Sequence, residues 1–247
     1  MFKPKWVVVD KDFLQADQDG LNKVICHGHR LLLTARTGYE IHTTNKQGVR
    51  QKCLQTLLNA RDNVDVIDED GSSGLLNYEI KEKKPSSAVL QEYVKPLPYD
   101  VDQFLKNIDV LRWNEDFEKG PAKDFSDIAF EMRNKISWLV KDDLKVTEKI
   151  KKAYSALTKK CLDLPAAENI DENWIIFRRL QVERWMVLDR ECVSAKNMLH
   201  DRIDSRIAEV ALLTRGLASN ETLMKNIFNF LCPEGELFST YKNDGSI

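Results

Sequence analysis

An uninterrupted apolar run near the start of the chain, Trp6–Val9, constrains the fold more than any other stretch. A run without polar residues predicts a strand that is covered on both faces, as the strands of a parallel sheet are. This strand leads directly into two acids, Asp10 and Asp12. Ligands of open α/β sheets bind beyond the carboxyl ends of the strands, so we expect these acids to lie where chemistry takes place.

Strands and helices alternate along the first part of the chain. A second buried strand is predicted at Arg30–Thr34, a helix at Val49–Ala60 and a third strand at Asn63–Asp68. The residues Glu69–Gly74 are typical of a turn that closes this third strand. The alternation predicts an α/β fold in which helices flank a parallel sheet.

The middle of the chain lacks the strand pattern. Between about Leu75 and Met186, prolines separate segments with helical spacing. We therefore interpret residues 75–189 as a large helical insertion or subdomain. Residues 1–74 and 190–247 are then the core domain that the insertion interrupts.

Basic residues outnumber acidic residues between Arg133 and Lys160. A solvated helix face would explain this pattern. A surface that contacts phosphates would explain it equally well, because lysines beside a phosphate backbone gain affinity through counterion release. The candidate nucleic-acid-binding residues are Lys145, Lys149, Lys151, Lys152, Arg178 and Arg179.

Acids recur late in the chain. The amphipathic pattern of Leu199–Leu213 predicts a helix with Asp201 and Asp204 in its first turn, where the helix dipole alone favours acidic residues. A short strand-like stretch follows this helix and ends at Glu221. A further acid, Glu40, is expected in the helix after the second strand. Three predicted strand ends and one helix start thus carry carboxylates.

Four of these elements, in this order, resemble the motifs of the PIN-domain nucleases. They are Asp10–Leu14 after the first strand, Glu40 in the helix after the second, Asp204–Ala211 in the late helix, and Leu217–Glu221. The last element looks like the family's Thr-Asn-Asp, with glutamate in place of the aspartate. The resemblance covers the two ends of the chain and leaves the helical middle outside it. It implies a PIN-like sheet and a metal-dependent endonuclease.

The resemblance also implies a site for Mg²⁺ or Mn²⁺ at the acids. Both ions prefer oxygen ligands, and one or two of them can activate a water and stabilise the departing oxygen of a phosphodiester. The implied catalytic residues and metal ligands are Asp10, Glu40, Asp204 and Glu221. Two further acids stay open: Asp12 either binds the metal or supports Asp10, and Asp201 either caps its helix or joins the cluster.

Two other functions fit part of the pattern. The haloacid-dehalogenase phosphatases also place Asp-x-Asp after a first strand and Ser or Thr after the next, which Asp10, Asp12 and Thr34 would match. Against this reading, Leu14 stands where that family usually has Thr or Val, and Glu40 has no role there. The other alternative is a PIN-like scaffold that binds RNA or protein without cutting it.

The composition of the chain limits which binding partners and which cellular compartment we expect. The chain has 37 basic and 39 acidic residues, a net charge of −2, so any nucleic-acid affinity must come from local patches. Five cysteines without a CxxC pair argue against a disulfide framework or a zinc site and fit a reducing cytosol. No apolar run approaches the roughly 20 residues that span a bilayer, so we expect a cytoplasmic protein without a membrane partner.

The resemblance carries three expectations about partners. It favours RNA over DNA as the substrate. Several members of the family act as toxins or in defence, which makes a regulatory protein partner an expectation here as well. It leaves open whether the chain forms a homodimer.

Overall fold

One sheet contains all six strands in the described part of the chain. The computed structural model describes residues 5–16, 18–67, 71–110, 129, 136–158, 164–189 and 195–240. The strands are β1 (Trp6–Val9), β2 (Arg30–Leu33), β3 (Val64–Ile67), β4 (Val94–Pro96), β5 (Gly216–Ala218) and β6 (Glu236–Phe238). They lie in the order β4-β3-β2-β1-β5-β6, and only the pair of β3 and β4 is antiparallel. The fold is therefore α/β with a mixed, mostly parallel sheet.

Helices cover both faces of this sheet. They are α1 (Lys11–Leu14), α2 (Gln18–Cys26), α3 (Ala35–Thr43), α4 (Gln47–Asn59), α5 (Gly71–Glu82), α6 (Leu90–Tyr93), α7 (Val101–Val110), α8 (Thr147–Thr158), α9 (Ile175–Asp189), α10 (Ala195–Thr214) and α11 (Thr222–Leu231). Short 3₁₀ helices lie at Arg61–Asn63, Ser86–Ala88 and Lys141–Lys145. No helix among the described residues combines the length and the apolar character needed to cross a membrane.

The side chains of β1 alternate between two hydrophobic clusters. Val8 lies in the cluster that α5, α8, α9, α10 and α11 form on one face of the sheet. Val7 and Val9 lie in the cluster that α1, α2, α3, α4 and α7 form on the other face. All three valines are fully buried. A strand covered on both faces has no polar side, which explains the uninterrupted apolar run.

The three strands that the sequence predicts near the start of the chain are confirmed at β1, β2 and β3. Two predictions for the next stretch are wrong. Gly71–Gly74 begins α5 instead of forming a turn, and β4 lies where the sequence predicts no strand. The strand β4 is short, ends at Pro96 and lies at the edge of the sheet, so it carries no periodic apolar pattern.

The described helices of the predicted insertion pack into the same core as the two ends of the chain. The helix α9 packs along α10, and α5 contacts both. One cluster of buried residues joins Leu32 and Leu217 of the sheet with Leu76 of α5 and Ile176 of α9. The domain boundaries at residues 74 and 190 stay a prediction.

The chain order places a crevice beside β1. From β1 the chain passes to β2 and β3 on one side, and it later returns to β5 and β6 on the other side. The strands β5 and β1 approach each other closely at Gly216. A Cβ on this residue would lie 2.7 Å from the carbonyl oxygen of Trp6, so β5 needs glycine there. Open α/β sheets bind ligands at such a reversal of strand order, beyond the carboxyl ends of the strands.

Candidate functional site

A cavity of about 220 Å³ lies at the carboxyl ends of β1 and β5. It is lined by Asp10, Lys11, Asp12, Glu40, Asp204, Ile207, Glu221 and Met224. Four separate stretches of the chain, at β1, α3, α10 and α11, thus bring together five of the six acids named from the sequence. The sixth, Asp201, belongs to α10, but its side chain lies outside the described residues.

Asp10 is the most buried of the five acids that line the cavity. It is the N-cap of α1, and its Oδ1 accepts a hydrogen bond of 2.7 Å from the backbone N–H of Phe13. Its Oδ2 accepts a hydrogen bond from the hydroxyl of Ser219. Only 5% of Asp10 is exposed. Both carboxylate oxygens are therefore held in fixed directions.

Burial raises the pKa of Asp10 to about 7, from an ordinary value of 3.8. The hydrogen bonds from Ser219 and Phe13 oppose this rise, because they favour the charged form. The negative charges of Asp12 and Glu221 add to it. A bound cation would favour the ionised carboxylate, so the position is suited to a group that gains its charge when a metal arrives.

Two residues that hold the site were missed in the sequence. Ser219 accepts a hydrogen bond of 3.0 Å from the N–H of Glu221 while its own hydroxyl donates to Asp10. The amide of Asn220 donates to the carbonyl of Asp12 at 3.3 Å, and its oxygen accepts from the N–H of Thr240 at 2.9 Å. The signal that could have found them is their position in the stretch that resembles Thr-Asn-Asp.

Lys11 is the one basic side chain among the described residues that line the cavity, and it too was missed. Its Nζ lies 3.6 Å from Oε1 of Glu40. Burial opposes the charged form of Lys11, but the carboxylates of Glu40, Asp12 and Asp10 outweigh it, so the pKa of Lys11 is raised. The cavity therefore contains an ammonium group among five acids.

The residues fit Mg²⁺ or Mn²⁺ by chemistry, since carboxylate oxygens are the ligands that these ions prefer. Their spacing does not amount to a preformed coordination shell. Within the described ranges, no group of three or more His, Cys, Asp or Glu side chains is placed so that it could hold a metal ion. Metal binding would require the acids around Lys11 to move closer together.

Thr34 and Thr37 have structural partners. The hydroxyl of Thr34 caps α3 by accepting from the N–H of Thr37 at 3.1 Å. The hydroxyl of Thr37 donates to the carbonyl of Val9 at 2.9 Å. Both threonines therefore fix the end of β2 against β1.

The predicted nucleic-acid contacts at Arg178 and Arg179 are wrong. Arg178 is 3% exposed and donates to the carbonyl of Glu172 and to Gln181. Arg179 is fully buried, and its Nε and Nη2 donate to Oε2 of Glu209 at 3.1 and 3.0 Å. Guanidinium groups that are buried and paired cannot reach a phosphate backbone.

The predicted lysines lie on or beside α8. Lys145, Lys149 and Lys152 are exposed. Lys151 is half-buried and donates to the carbonyl of Glu168 at 3.1 Å. Lys149 lies 3.9 Å from Asp143, a distance at which an exposed ion pair contributes little. The nucleic-acid role of these four lysines stays a prediction.

Comparisons of the chain with protein-family models, curated proteins and solved structures found no match.

Proposed function

We propose that this protein is a PIN-like, metal-dependent endonuclease that hydrolyses phosphodiester bonds, with RNA favoured over DNA. The observation that carries the proposal is the convergence of five carboxylates in one cavity at the reversal of strand order. A cluster of this composition attracts divalent cations. The preference for RNA rests on the resemblance to the PIN-domain nucleases.

Asp10, Glu40, Asp204 and Glu221 would hold the metal, with Asp12 beside them. When bound, Mg²⁺ or Mn²⁺ supplies a Lewis acid and lowers the pKa of a water. The cavity volume of about 220 Å³ lies below the roughly 300–1,000 Å³ of sites for drug-sized ligands. It suits a hydrated ion and one phosphate better than a large organic cofactor.

Hydrogen bonds within the protein orient the acids of the cavity. The hydroxyl of Ser219 and the N–H of Phe13 donate to the two oxygens of Asp10, so this acid cannot turn away from the cavity without losing two hydrogen bonds. The amide of Gln15 donates to Oδ1 of Asp12 at 2.5 Å and holds the second acid. The orientation of these two acids saves part of the cost of ordering the site when the ion binds, although the acids of the cavity would still have to move closer together.

One observation favours this function over the phosphatase alternative. The hydroxyl of Thr34 would have to face the substrate phosphate, yet it caps α3 and contacts Thr37. Action as a toxin or defence effector under a protein partner is part of the proposal and rests on the resemblance alone.

The test is an incubation of purified protein with an end-labelled RNA pool of mixed sequence, in Mn²⁺ or Mg²⁺. We expect internal cuts that stop when EDTA is added, and slower cutting of the matching DNA pool. The variant Asp10→Asn serves as the inactive control from the same preparation.

Other outcomes would select the alternatives. Release of phosphate from small phosphomonoesters, with the RNA intact, would favour the phosphatase. RNA that is bound but remains intact in both metals would favour the non-catalytic scaffold.

A further inference from the structure

Lys11 has a position unlike that of the other described lysines. It follows the N-cap acid Asp10 directly, and its Nζ lies 3.6 Å from Glu40 in the cavity that four other acids line. The side chains of Lys11 and Glu40 are only 25% and 15% exposed, so solvent screens their attraction incompletely. The ammonium group stands where negative charge from several stretches of chain converges.

We propose that Lys11 is the built-in counterion of the acidic cavity, which a divalent cation must displace from Glu40 to bind. The inference rests on the proposed metal-dependent function. It explains two observations together: the cavity holds five carboxylates, and no metal-binding group is assembled among the described residues. With Lys11 beside Glu40, the cavity stays intact without metal.

The consequence for metal affinity follows from electrostatics. A cation that enters the cavity must compete with the ammonium group for Glu40, and it also meets the repulsion of a like charge nearby. Neutralising Lys11 removes both effects and should tighten metal binding. The same change removes the positive charge that lies 3.6 Å from Glu40 among the other acids, so it should destabilise the metal-free protein.

The opposite role for Lys11, support of metal binding, predicts a different result. If Lys11 instead helped to assemble the site, for example by orienting Glu40 for the metal, then neutralising it would weaken metal binding. The sign of the change in Mn²⁺ affinity therefore decides between competitor and support.

The experiment is calorimetric titration of metal-free protein with Mn²⁺ alone, at pH 7.5 and low salt. We expect Lys11→Gln to bind Mn²⁺ roughly tenfold more tightly than wild type. The matched control is Lys106→Gln, which removes a lysine that lies 2.6 Å from Asp102 on α7, outside the cavity. It should leave the Mn²⁺ affinity unchanged.

A second variant guards against misfolding of the first. Lys11→Arg keeps the positive charge and should bind Mn²⁺ no more tightly than wild type. Without metal, the melting temperature of Lys11→Gln should fall below that of wild type, and saturating Mn²⁺ should reverse the order.

Each result bears on the proposal in a defined way. Tighter binding by Lys11→Gln, with Lys11→Arg and Lys106→Gln near wild type, supports it. Unchanged or weaker binding by Lys11→Gln overturns it, while wild-type Mn²⁺ binding and RNA cleavage keep the proposed function. Absence of Mn²⁺ binding in every variant at millimolar metal overturns both.

Discussion

The hydroxyl of Ser219 donates a hydrogen bond to Oδ2 of Asp10, across the boundary between β5 and β1. The two residues are 209 positions apart in the chain, and the pairing of Val9 with Ala218 brings them together. Oδ1 of the same carboxylate accepts from the N–H of Phe13. The orientation of the first acid of the site therefore depends on the register of two strands from opposite ends of the chain.

The variant Ser219→Ala tests this relationship. It removes a donor to the charged form of Asp10, so the pKa of Asp10 should rise further above its ordinary value. We expect the pH profile of RNA cleavage to shift to higher pH and the cleavage rate at pH 7 to fall by roughly tenfold. Cleavage rates between pH 6 and pH 9 at saturating Mn²⁺ would measure both effects.

A matched hydroxyl nearby provides the control for Ser219. Ser239 donates its hydrogen bond to Oδ1 of Asn220, at 3.0 Å, and not to Asp10. Ser239→Ala should keep the wild-type pH profile, even if its stability falls. An equal shift in both variants would contradict the specific role of Ser219.

Asp10→Asn should abolish cleavage and raise the stability of the metal-free protein above pH 7. The asparagine oxygen can still cap α1 through the N–H of Phe13, so the local fold is kept. The charge is lost, and with it the cost of ionising a buried carboxyl whose pKa is about 7. Urea unfolding in EDTA at pH 8 would measure the gain in the free energy of unfolding.

A buried acid outside the cavity, Asp65, should respond to the same substitution in the opposite way to Asp10. Asp65 is 6% exposed and accepts hydrogen bonds from Arg30 and from the indole of Trp6. Asp65→Asn should therefore destabilise the protein and leave cleavage per folded molecule intact. If Asp10→Asn also unfolded the protein, Asp10 would be a structural residue and not a catalytic one.

The first strands and the acids beyond them could be predicted because their signals are local. The side chains of Trp6–Val9 are apolar on both faces of the strand, because helices cover both faces of the sheet there. Asp10 follows the run directly, so the end of the strand fixes its place at the edge of the sheet. Glu221 was placed by the same reasoning and Glu40 by its position in the helix after the second strand, and the structure puts all three acids in one cavity.

The errors come from interactions between distant parts of the chain. The sequence predicted that Arg179 is a basic surface residue because its partner, Glu209, lies on another helix. The two charges pair with each other in the core. Lys11 was overlooked because its significance comes from Glu40 on α3. Spacing along the chain contains neither relation, since each depends on how helices pack against the sheet.

The exposed lysines beside α8 give a prediction about substrate binding. If Lys145, Lys149 and Lys152 follow a phosphate backbone, replacing all three with Gln should weaken RNA binding by a similar factor for every sequence. The slope of log affinity against log salt should flatten by about 0.7 for each phosphate of a single strand that the variant no longer neutralises. Fluorescence anisotropy with labelled RNA in EDTA, over a range of salt concentrations, would measure both.

The control for this set is a triple Gln variant at exposed lysines elsewhere, Lys23, Lys81 and Lys84. It changes the net charge by the same amount and should leave the salt slope close to wild type. Equal flattening in both variants would mean that net charge alone governs binding. An unchanged slope in the first variant would remove the nucleic-acid role from α8.

Glu79 provides a test of the fold that is independent of the metal site. Its carboxylate is fully buried at the start of α9, where it accepts from the N–H groups of Ile175 at 2.6 Å and Ile176 at 2.9 Å, and from the N–H of Ser86 at 3.0 Å. Burial raises the pKa of Glu79 from 4.5 to about 7, against the effect of these hydrogen bonds. The folded protein therefore holds a proton there that the unfolded chain has already released.

This raised pKa predicts that the free energy of unfolding falls as pH rises from about 4.5 to 7, because the folded state binds more protons than the unfolded state in that window. The slope contributed by Glu79 is at most about 1.4 kcal/mol per pH unit. Asp10 contributes with the same sign, so the experiment compares Glu79→Gln with its parent in the background of Asp10→Asn. Urea unfolding across this range should show a flatter pH dependence in the double variant, together with lower stability, since Gln replaces one acceptor with a donor. The control is Glu82→Gln, which replaces an exposed acid on the same helix and should keep the pH slope of the parent. An unchanged slope in the Glu79 variant would mean that the carboxyl of Glu79 is charged throughout this pH range.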